Sequence, residues 1–215
     1  MNHGAATGTL GLPSSFQYVA GNAKRSFIGA HPCVDHMQAD DEGPPPRVQR
    51  PPLVVTGELP PDILAWADGL RRAHYPPERN RLPAHVTLFH ALPPSSEEEV
   101  RRVLAALAAA SPPKARFTGL MKLGGGTALA IDCPELESLH GMIADRLLGL
   151  LTRQDARALK LHVTIQNKVS LGAARALQAE LAATLRPRTF RFHAFGLYAY
   201  EEGLWRPLRT FPFRG

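Results

Sequence analysis

The sequence predicts an α+β fold with two pseudo-symmetric lobes, each an antiparallel sheet with outer helices, around a central cleft. Short β-branched apolar runs alternate with stretches whose apolar residues recur at helical spacing. The order of strand, helix and hairpin occurs twice along the chain. In addition, His-Val-Thr-Leu at residues 85–88 returns as His-Val-Thr-Ile at residues 162–165. A duplicated unit accounts for all of these observations.

Length and composition restrict the class of protein. The chain has 215 residues, 44% hydrophobic and 20% charged, as expected for one globular domain. Its two cysteines, Cys33 and Cys133, form no C-x-x-C pair, which excludes a disulfide scaffold and a cysteine-rich zinc site. No apolar run approaches the roughly 20 residues of a membrane helix. We therefore expect a monomeric cytoplasmic protein that does not span a membrane.

Residues 1–52 are predicted to form a disordered tail that precedes a folded domain at residues 53–215. The tail is rich in small residues and proline and lacks a sustained hydrophobic period. Positions 31–36 include four residues of metal-binding type, but the tail has no rigid frame to make them converge, so we expect no bound metal. These residues are His31, Cys33, Asp35 and His36. Because charges up to residue 50 cancel, the formal net charge of +6 belongs to the folded domain, which should attract polyanions.

The first elements of the domain are predicted from local signals. Residues 53–57 form a β-branched strand, and Pro60-Pro61 opens an amphipathic helix. A second strand covers residues 84–92. Ser95 and Glu98 have the spacing of a capping box, which predicts a helix that extends to about residue 110.

A hairpin and a third helix complete the first half of the domain. Residues 114–123 and 127–133 pair around Gly124-Gly125-Gly126, because glycine accepts the positive φ of a tight reversal. A helix is predicted over residues 134–153. Its expected buried stripe consists of Leu136, Leu139, Ile143, Leu147, Leu148 and Leu151.

The same order then begins again. A strand is predicted at residues 159–169, a helix at residues 171–185, and a hairpin at residues 189–200 and 204–213. The separation from His85 to Arg116-Phe117 is nearly that from His162 to Arg191-Phe192. We therefore infer a duplicated α+β unit with two pseudo-symmetric lobes.

Each repeated tetrapeptide lies on a predicted strand. Side chains alternate along a strand, so His85 and Thr87 share one face, as do His162 and Thr164. If the lobes pack about a pseudo-two-fold axis, the two faces meet in the cleft. Cleavage of a phosphodiester without metal needs a base for the nucleophile and an acid for the leaving oxygen, and imidazole can serve as either near neutral pH.

The motifs therefore predict His85 and His162 as a catalytic acid–base pair, in an order that the sequence does not assign. Thr87 and Thr164 are predicted to bind phosphate, because their hydroxyls can donate hydrogen bonds to its non-bridging oxygens. The alternative interpretation is structural, since a histidine in a strand is often only partly buried and threonine favours strands generally. The match in sequence and in position within the repeat favours a functional role.

These two motifs resemble the signature of the two-histidine phosphoesterases, which include 2′-5′ RNA ligase-like and cyclic phosphodiesterase proteins. The resemblance covers about residues 53–213. It implies a bilobal α+β fold and a site without metal or cofactor, with His85 and His162 as catalytic residues and Thr87 and Thr164 at the phosphate. It also implies partners such as RNA ends or small nucleotides, with RNA 2′,3′-cyclic phosphates or 2′-5′-linked nucleotides as substrates.

Other functions and contacts stay open. The domain could catalyse 2′-5′ ligation, the reverse reaction, or could bind nucleotides or RNA ends without turnover. Metal-dependent hydrolysis is disfavoured because neither motif has nearby carboxylate ligands. The weaker candidates are Lys160, Lys168, Arg81 and Arg116 for phosphate or RNA contact, and Tyr198, Tyr200 and Trp205 for base stacking. The histidines expected to be structural are His90, His140 and His193.

Overall fold

The computed structural model describes residues 50–215. The predicted disordered tail therefore lies outside the described residues, apart from its last three positions. The strands are β1 (Leu53–Glu58), β2 (Val86–Leu92), β3 (Lys114–Lys122), β4 (Thr127–Asp132), β5 (His162–Gln166), β6 (Thr189–Arg191), β7 (Ala194–Glu201) and β8 (Leu204–Pro212). The α-helices are α1 (Pro61–His74), α2 (Glu97–Leu107), α3 (Pro134–Arg146) and α4 (Leu171–Thr184).

The strands form two four-stranded antiparallel sheets, which confirms the predicted fold class. The first sheet has the order β2-β1-β7-β8 and the second has the order β5-β4-β3-β6. The two motif strands, β2 and β5, occupy corresponding edges of their sheets and lie against each other. The junction between the sheets is therefore also the place where the two histidine motifs meet.

The two repeating units begin and end at different elements from the predicted ones. Corresponding positions in the two sheets define one unit as β1-α1-β2-α2-β3 and the other as β4-α3-β5-α4-β7. The third strand of each unit pairs in the sheet of the other unit, so β3 joins the second sheet and β7 joins the first. Each lobe therefore contains strands of both units, which sequence analysis did not predict because a local pattern identifies a strand but not its partner.

The single strand predicted at residues 189–200 is in fact two strands. β6 pairs with β3 in the second sheet, and β7 pairs with β1 in the first. Phe192 is fully buried between them, and its amide donates to the Pro113 carbonyl at 3.0 Å. The next amide, of His193, donates to the Glu58 carbonyl at 3.1 Å. This two-residue break carries the chain from one sheet to the other.

Several predicted boundaries change where local signals compete. A 3₁₀ turn at Pro94–Ser96 replaces the capping box, and Ser96 donates its hydroxyl to the Pro93 carbonyl at 2.7 Å. Helix α3 ends at Arg146, so Leu148 is 82% exposed instead of buried. Gly149, with a φ of 87°, follows in a conformation that a helix does not allow. β5 covers only the middle of the strand predicted at residues 159–169.

The helices pack on the faces of the sheets that point away from the motif hydroxyls. α3 packs on the first sheet, where His140 stacks on Phe89 with ring centroids 4.5 Å apart. α1 packs on the second sheet, where Trp66 meets Phe117 at 5.1 Å. Within the described residues, none of the helices has the length and apolarity needed to cross a membrane.

A buried carboxylate attaches the segment between α3 and β5 to the outer edge of β2. Asp155 accepts hydrogen bonds from the backbone amides of His90 and Ala91, at 2.8 and 3.1 Å. It also accepts from the ring Nδ1 of His90 at 2.9 Å and from the Thr152 hydroxyl at 3.1 Å. This arrangement satisfies amide groups that an edge strand would otherwise expose.

Candidate active site

The two motif histidines have the same local geometry. His85 immediately precedes β2, and His162 is the first residue of β5. The Nδ1 atom of His85 lies 2.7 Å from the Pro83 carbonyl, and that of His162 lies 2.6 Å from the Lys160 carbonyl. Because a carbonyl only accepts, each Nδ1 carries a proton, and the neutral ring has its lone pair on Nε2. Each Nε2 can thus exchange a proton with a substrate.

The motif threonines lie two residues further along each strand. Thr87 is opposite the buried Thr56 of β1, and Thr164 is opposite Ala128 of β4. Both motif threonines are partly exposed, while the intervening valines are fully buried. The alternation predicted from the sequence therefore holds, and each edge strand presents one imidazole and one hydroxyl on its accessible side.

The surroundings of His85 keep its imidazole neutral. Its ring packs against the Trp205 indole, with ring centroids 4.4 Å apart. Burial lowers the pKa of His85 to about 4, against the opposing effect of the Pro83 carbonyl. Positive charge on Arg71, His162 and His90 lowers the pKa further. At neutral pH the imidazole of His85 is therefore unprotonated.

Arg71 of α1 links the two motifs, and sequence analysis missed it. The residue is 4% exposed, and its guanidinium donates to the Thr164 carbonyl at 2.6 Å, inside the second motif. It also donates to the Leu82 carbonyl at 3.2 Å, three residues before His85, and to the Asn80 side chain at 2.9 Å. Among residues 50–215 its Nε has no hydrogen-bond partner, and burial lowers the pKa of the guanidinium.

A hydrogen-bonded cluster around the Glu58 carboxylate lies beside the first motif, and sequence analysis missed it as well. Glu58 accepts hydrogen bonds from the Thr56 hydroxyl and, at 2.9 Å, from the Tyr198 hydroxyl. Burial and the Glu58 carboxylate raise the pKa of Tyr198, so its phenol stays protonated. Gly196 is required here, because a Cβ atom would collide with Glu58, Thr56 and Tyr198. The Tyr198 ring in turn lies 5.6 Å from Trp205, which connects the cluster to His85.

The weaker candidates have different positions. Arg116 pairs with Asp132 at 3.0 Å, and Lys168 is an exposed residue with a φ of 60°. Lys160 is exposed and contributes its carbonyl to His162. Arg81 lines the same cavity as Tyr200 and Trp205. Within residues 50–215 no group of three or more metal-binding side chains is arranged to hold an ion.

Comparison with known proteins identifies the family. The sequence matches the 2′-5′ RNA ligase superfamily over residues 59–204, more than half of the chain. The chain belongs to this superfamily. The match includes both histidine motifs and confirms the resemblance that they predict. No protein of curated function matches the chain.

Two solved structures share the fold of this chain, and a third is similar to it. The protein TT0787 of Thermus thermophilus is 19% identical, with a TM-score of 0.55 over 76% of this chain and 98% of that protein. A crystallised phosphoesterase is 20% identical, with a TM-score of 0.50 over 77% and 99% of the two chains. LigT of E. coli, solved with 3′-AMP, is 20% identical, with a TM-score of 0.49 over 77% and 99%.

Proposed function

We propose that this member of the 2′-5′ RNA ligase superfamily is a metal-independent phosphodiesterase. Its proposed substrates are RNA 2′,3′-cyclic phosphate ends or 2′-5′-linked nucleotides. The supporting observation is the matched pair of imidazoles, each oriented by the carbonyl two residues before it. Each imidazole is followed by a partly exposed threonine on the same side of an edge strand.

The difference between the two imidazoles supports a specific division of roles. His85 is the general base, because its pKa of about 4 leaves Nε2 unprotonated at neutral pH. His85 takes the proton of the attacking hydroxyl, and that oxygen forms a bond to phosphorus. The bond from phosphorus to the leaving oxygen breaks, and His162, as the general acid, gives this oxygen a proton. Thr87 and Thr164 donate hydrogen bonds to the non-bridging oxygens as their charge increases.

The test is turnover of a 2′-5′-linked dinucleotide and of a 2′,3′-cyclic nucleotide, with EDTA present throughout. His85→Ala and His162→Ala should each lower kcat/KM by about 10²–10⁴, because each removes one proton transfer. His74→Ala, at the last residue of α1, is the matched control and should retain activity. Full activity in either motif variant, or wild-type activity that depends on added metal, would contradict the proposal.

A further inference from the structure

An open cavity adjoins the covered side of His85. It has a volume of about 770 Å³, within the usual range for small-ligand sites. Trp205 lines this cavity and also packs against His85. A ligand in the cavity would therefore contact the same indole that covers the proposed general base.

The lining of the cavity combines large accessible side chains with four charged residues, Arg81, Glu201, Glu202 and Arg206. Tyr200 is 44% exposed and Leu204 is 48% exposed, and both belong to the hairpin of β7 and β8. Tyr200 is the cross-strand partner of Trp205, so the two aromatic side chains lie on one face of the hairpin. Exposed apolar groups that lie together commonly mark a binding site.

A cation lies at the rim of this aromatic surface. Arg81, in the loop that leads to His85, lines the cavity and reaches the hairpin turn near Gly203. The other lining cation, Arg206, is paired with Glu201 at 2.7 Å. Within residues 50–215 Arg81 forms no such ion pair. An arginine plane and aromatic rings together favour flat, aromatic ligands.

We propose that this cavity is a nucleobase subsite, formed by Tyr200, Trp205, Leu204 and Arg81. The inference rests on the proposed phosphodiesterase function, since the nucleoside in the subsite would carry the phosphate to the two histidines. Base–aromatic stacking tolerates different bases because every base has a π-face. A base in the subsite places its own ribose on the His85 side of the cleft, and the other substituent of the phosphate on the His162 side.

The first experiment measures binding without turnover. Trp66→Phe leaves Trp205 as the sole tryptophan, because the chain has two. Titration with adenosine 2′-monophosphate should change the Trp205 fluorescence, whereas ribose 5-phosphate, which has no base, should bind at least about tenfold more weakly. In the same background Tyr200→Ala should weaken nucleotide binding by about tenfold, and Tyr200→Phe should preserve it.

Leu171→Ala is the matched control, since Leu171 is 58% exposed on α4 and does not line the cavity. It should leave nucleotide affinity unchanged. Equal affinity for the nucleotide and ribose 5-phosphate, or an unchanged affinity in Tyr200→Ala, would overturn the subsite. Nucleotide binding that depends on Tyr200 in a protein that cleaves no diester would instead sustain the subsite and reject the proposed function.

Discussion

Identical motif residues can acquire different chemistry from their neighbours. His85 and His162 each bind the carbonyl two residues before them, but Trp205 covers His85. Trp205→Ala should admit water and raise the pKa of His85 from about 4 toward the ordinary value of about 6.5. Because the base must be neutral to react, the acidic limb of the plot of kcat against pH should shift to higher pH by as much as the pKa of His85 rises.

The measurement is kcat against pH at saturating substrate, together with an NMR titration of the His85 ring. Positive charge on Arg71, His162 and His90 continues to lower this pKa in the variant. The pKa of His85 should therefore rise by less than the full difference between about 4 and about 6.5. An acidic limb that stays near pH 4 in Trp205→Ala would show that the indole does not control His85.

Arg71 should position the two motifs without touching the substrate. Arg71→Lys retains the charge but cannot donate simultaneously to Leu82, Asn80 and Thr164. Small displacements of the imidazoles should lower kcat by about 10–100-fold. KM should change little, because the subsite groups remain. Arg72→Lys, at the next and exposed position of α1, is the control and should match wild type.

A parallel fall in kcat and in folded fraction would reduce Arg71 to a purely structural role, so thermal unfolding is measured alongside kinetics.

The sequence predicted the paired histidines and threonines because their spacing is local and repeated. It could not predict Arg71, or the contact of Trp205 with His85, because these partners are remote in the chain. Arg71, for example, meets Thr164 only after β5 packs against α1.

Among the elements, those with strong local signals were predicted well. The hairpin of β3 and β4 follows from alternating apolar residues around three glycines. The C-terminal end of α3 was not predicted, because the leucines at positions 147, 148, 150 and 151 continue an apparently helical pattern. Only the positive φ of Gly149 and the burial of Leu147 against the core show where the helix ends.

The attachment of the 147–160 segment to β2 should contribute measurably to stability. Asp155→Ala removes the acceptor for the His90 and Ala91 amides and should lower the free energy of unfolding by about 2–4 kcal/mol. Burial alone would raise the pKa of Asp155, but its hydrogen bonds from His90, Ala91 and Thr152 leave this pKa lowered. The stabilisation is therefore present above pH about 4 and is lost as pH falls through the lowered pKa.

Urea unfolding at pH 7 and at lower pH checks this expectation. The difference between wild type and Asp155→Ala should shrink as the solution becomes acidic. Asp145→Ala, on the exposed surface of α3, provides a control with the same chemical change. A stability difference that is equal for the two variants, or constant down to pH 2, would refute the role of the buried carboxylate.

At the scale of the whole molecule, the subsite and the roles of the histidines together predict a substrate preference. In a 2′-5′-linked dinucleotide the 3′-hydroxyl of the nucleoside beside His85 attacks phosphorus, and the 5′-oxygen leaves toward His162. Opening of a 2′,3′-cyclic phosphate needs the reverse, with His85 as acid and His162 as base. Since the pKa of His85 is lowered, kcat should be higher for the 2′-5′-linked substrate.

Both reactions use one proton shared by the pair, so the ratio of their kcat values should not depend on pH. Trp205→Ala should narrow the ratio, because a more basic His85 is protonated over more of the pH range and can then serve as the acid. Rates for the two substrates, measured in parallel across the pH range, provide the test. Faster ring opening than 2′-5′ cleavage by the wild-type protein would refute this ordering.

The repeated motif predicted a two-lobed molecule with a shared cleft, but it could not reveal that the lobes exchange strands. Strand pairing is decided by packing across the whole molecule. The buried Phe192 and the hydrogen bond from His193 to Glu58 direct the chain from β6 into the first sheet. Both contacts join residues that are distant in sequence.

The exchange of β3 and β7 has a consequence for the origin of the chain. A polypeptide of a single unit would contain two strands of one sheet and a third strand that does not pair with either of them. Two copies could exchange that strand, so that every strand has a hydrogen-bonded partner. The smallest ancestor with fully paired sheets would then be a strand-exchanged homodimer with two equivalent histidines. Fusion of two such copies would allow each half to change separately, and within residues 50–215 an indole packs against His85 but not against His162.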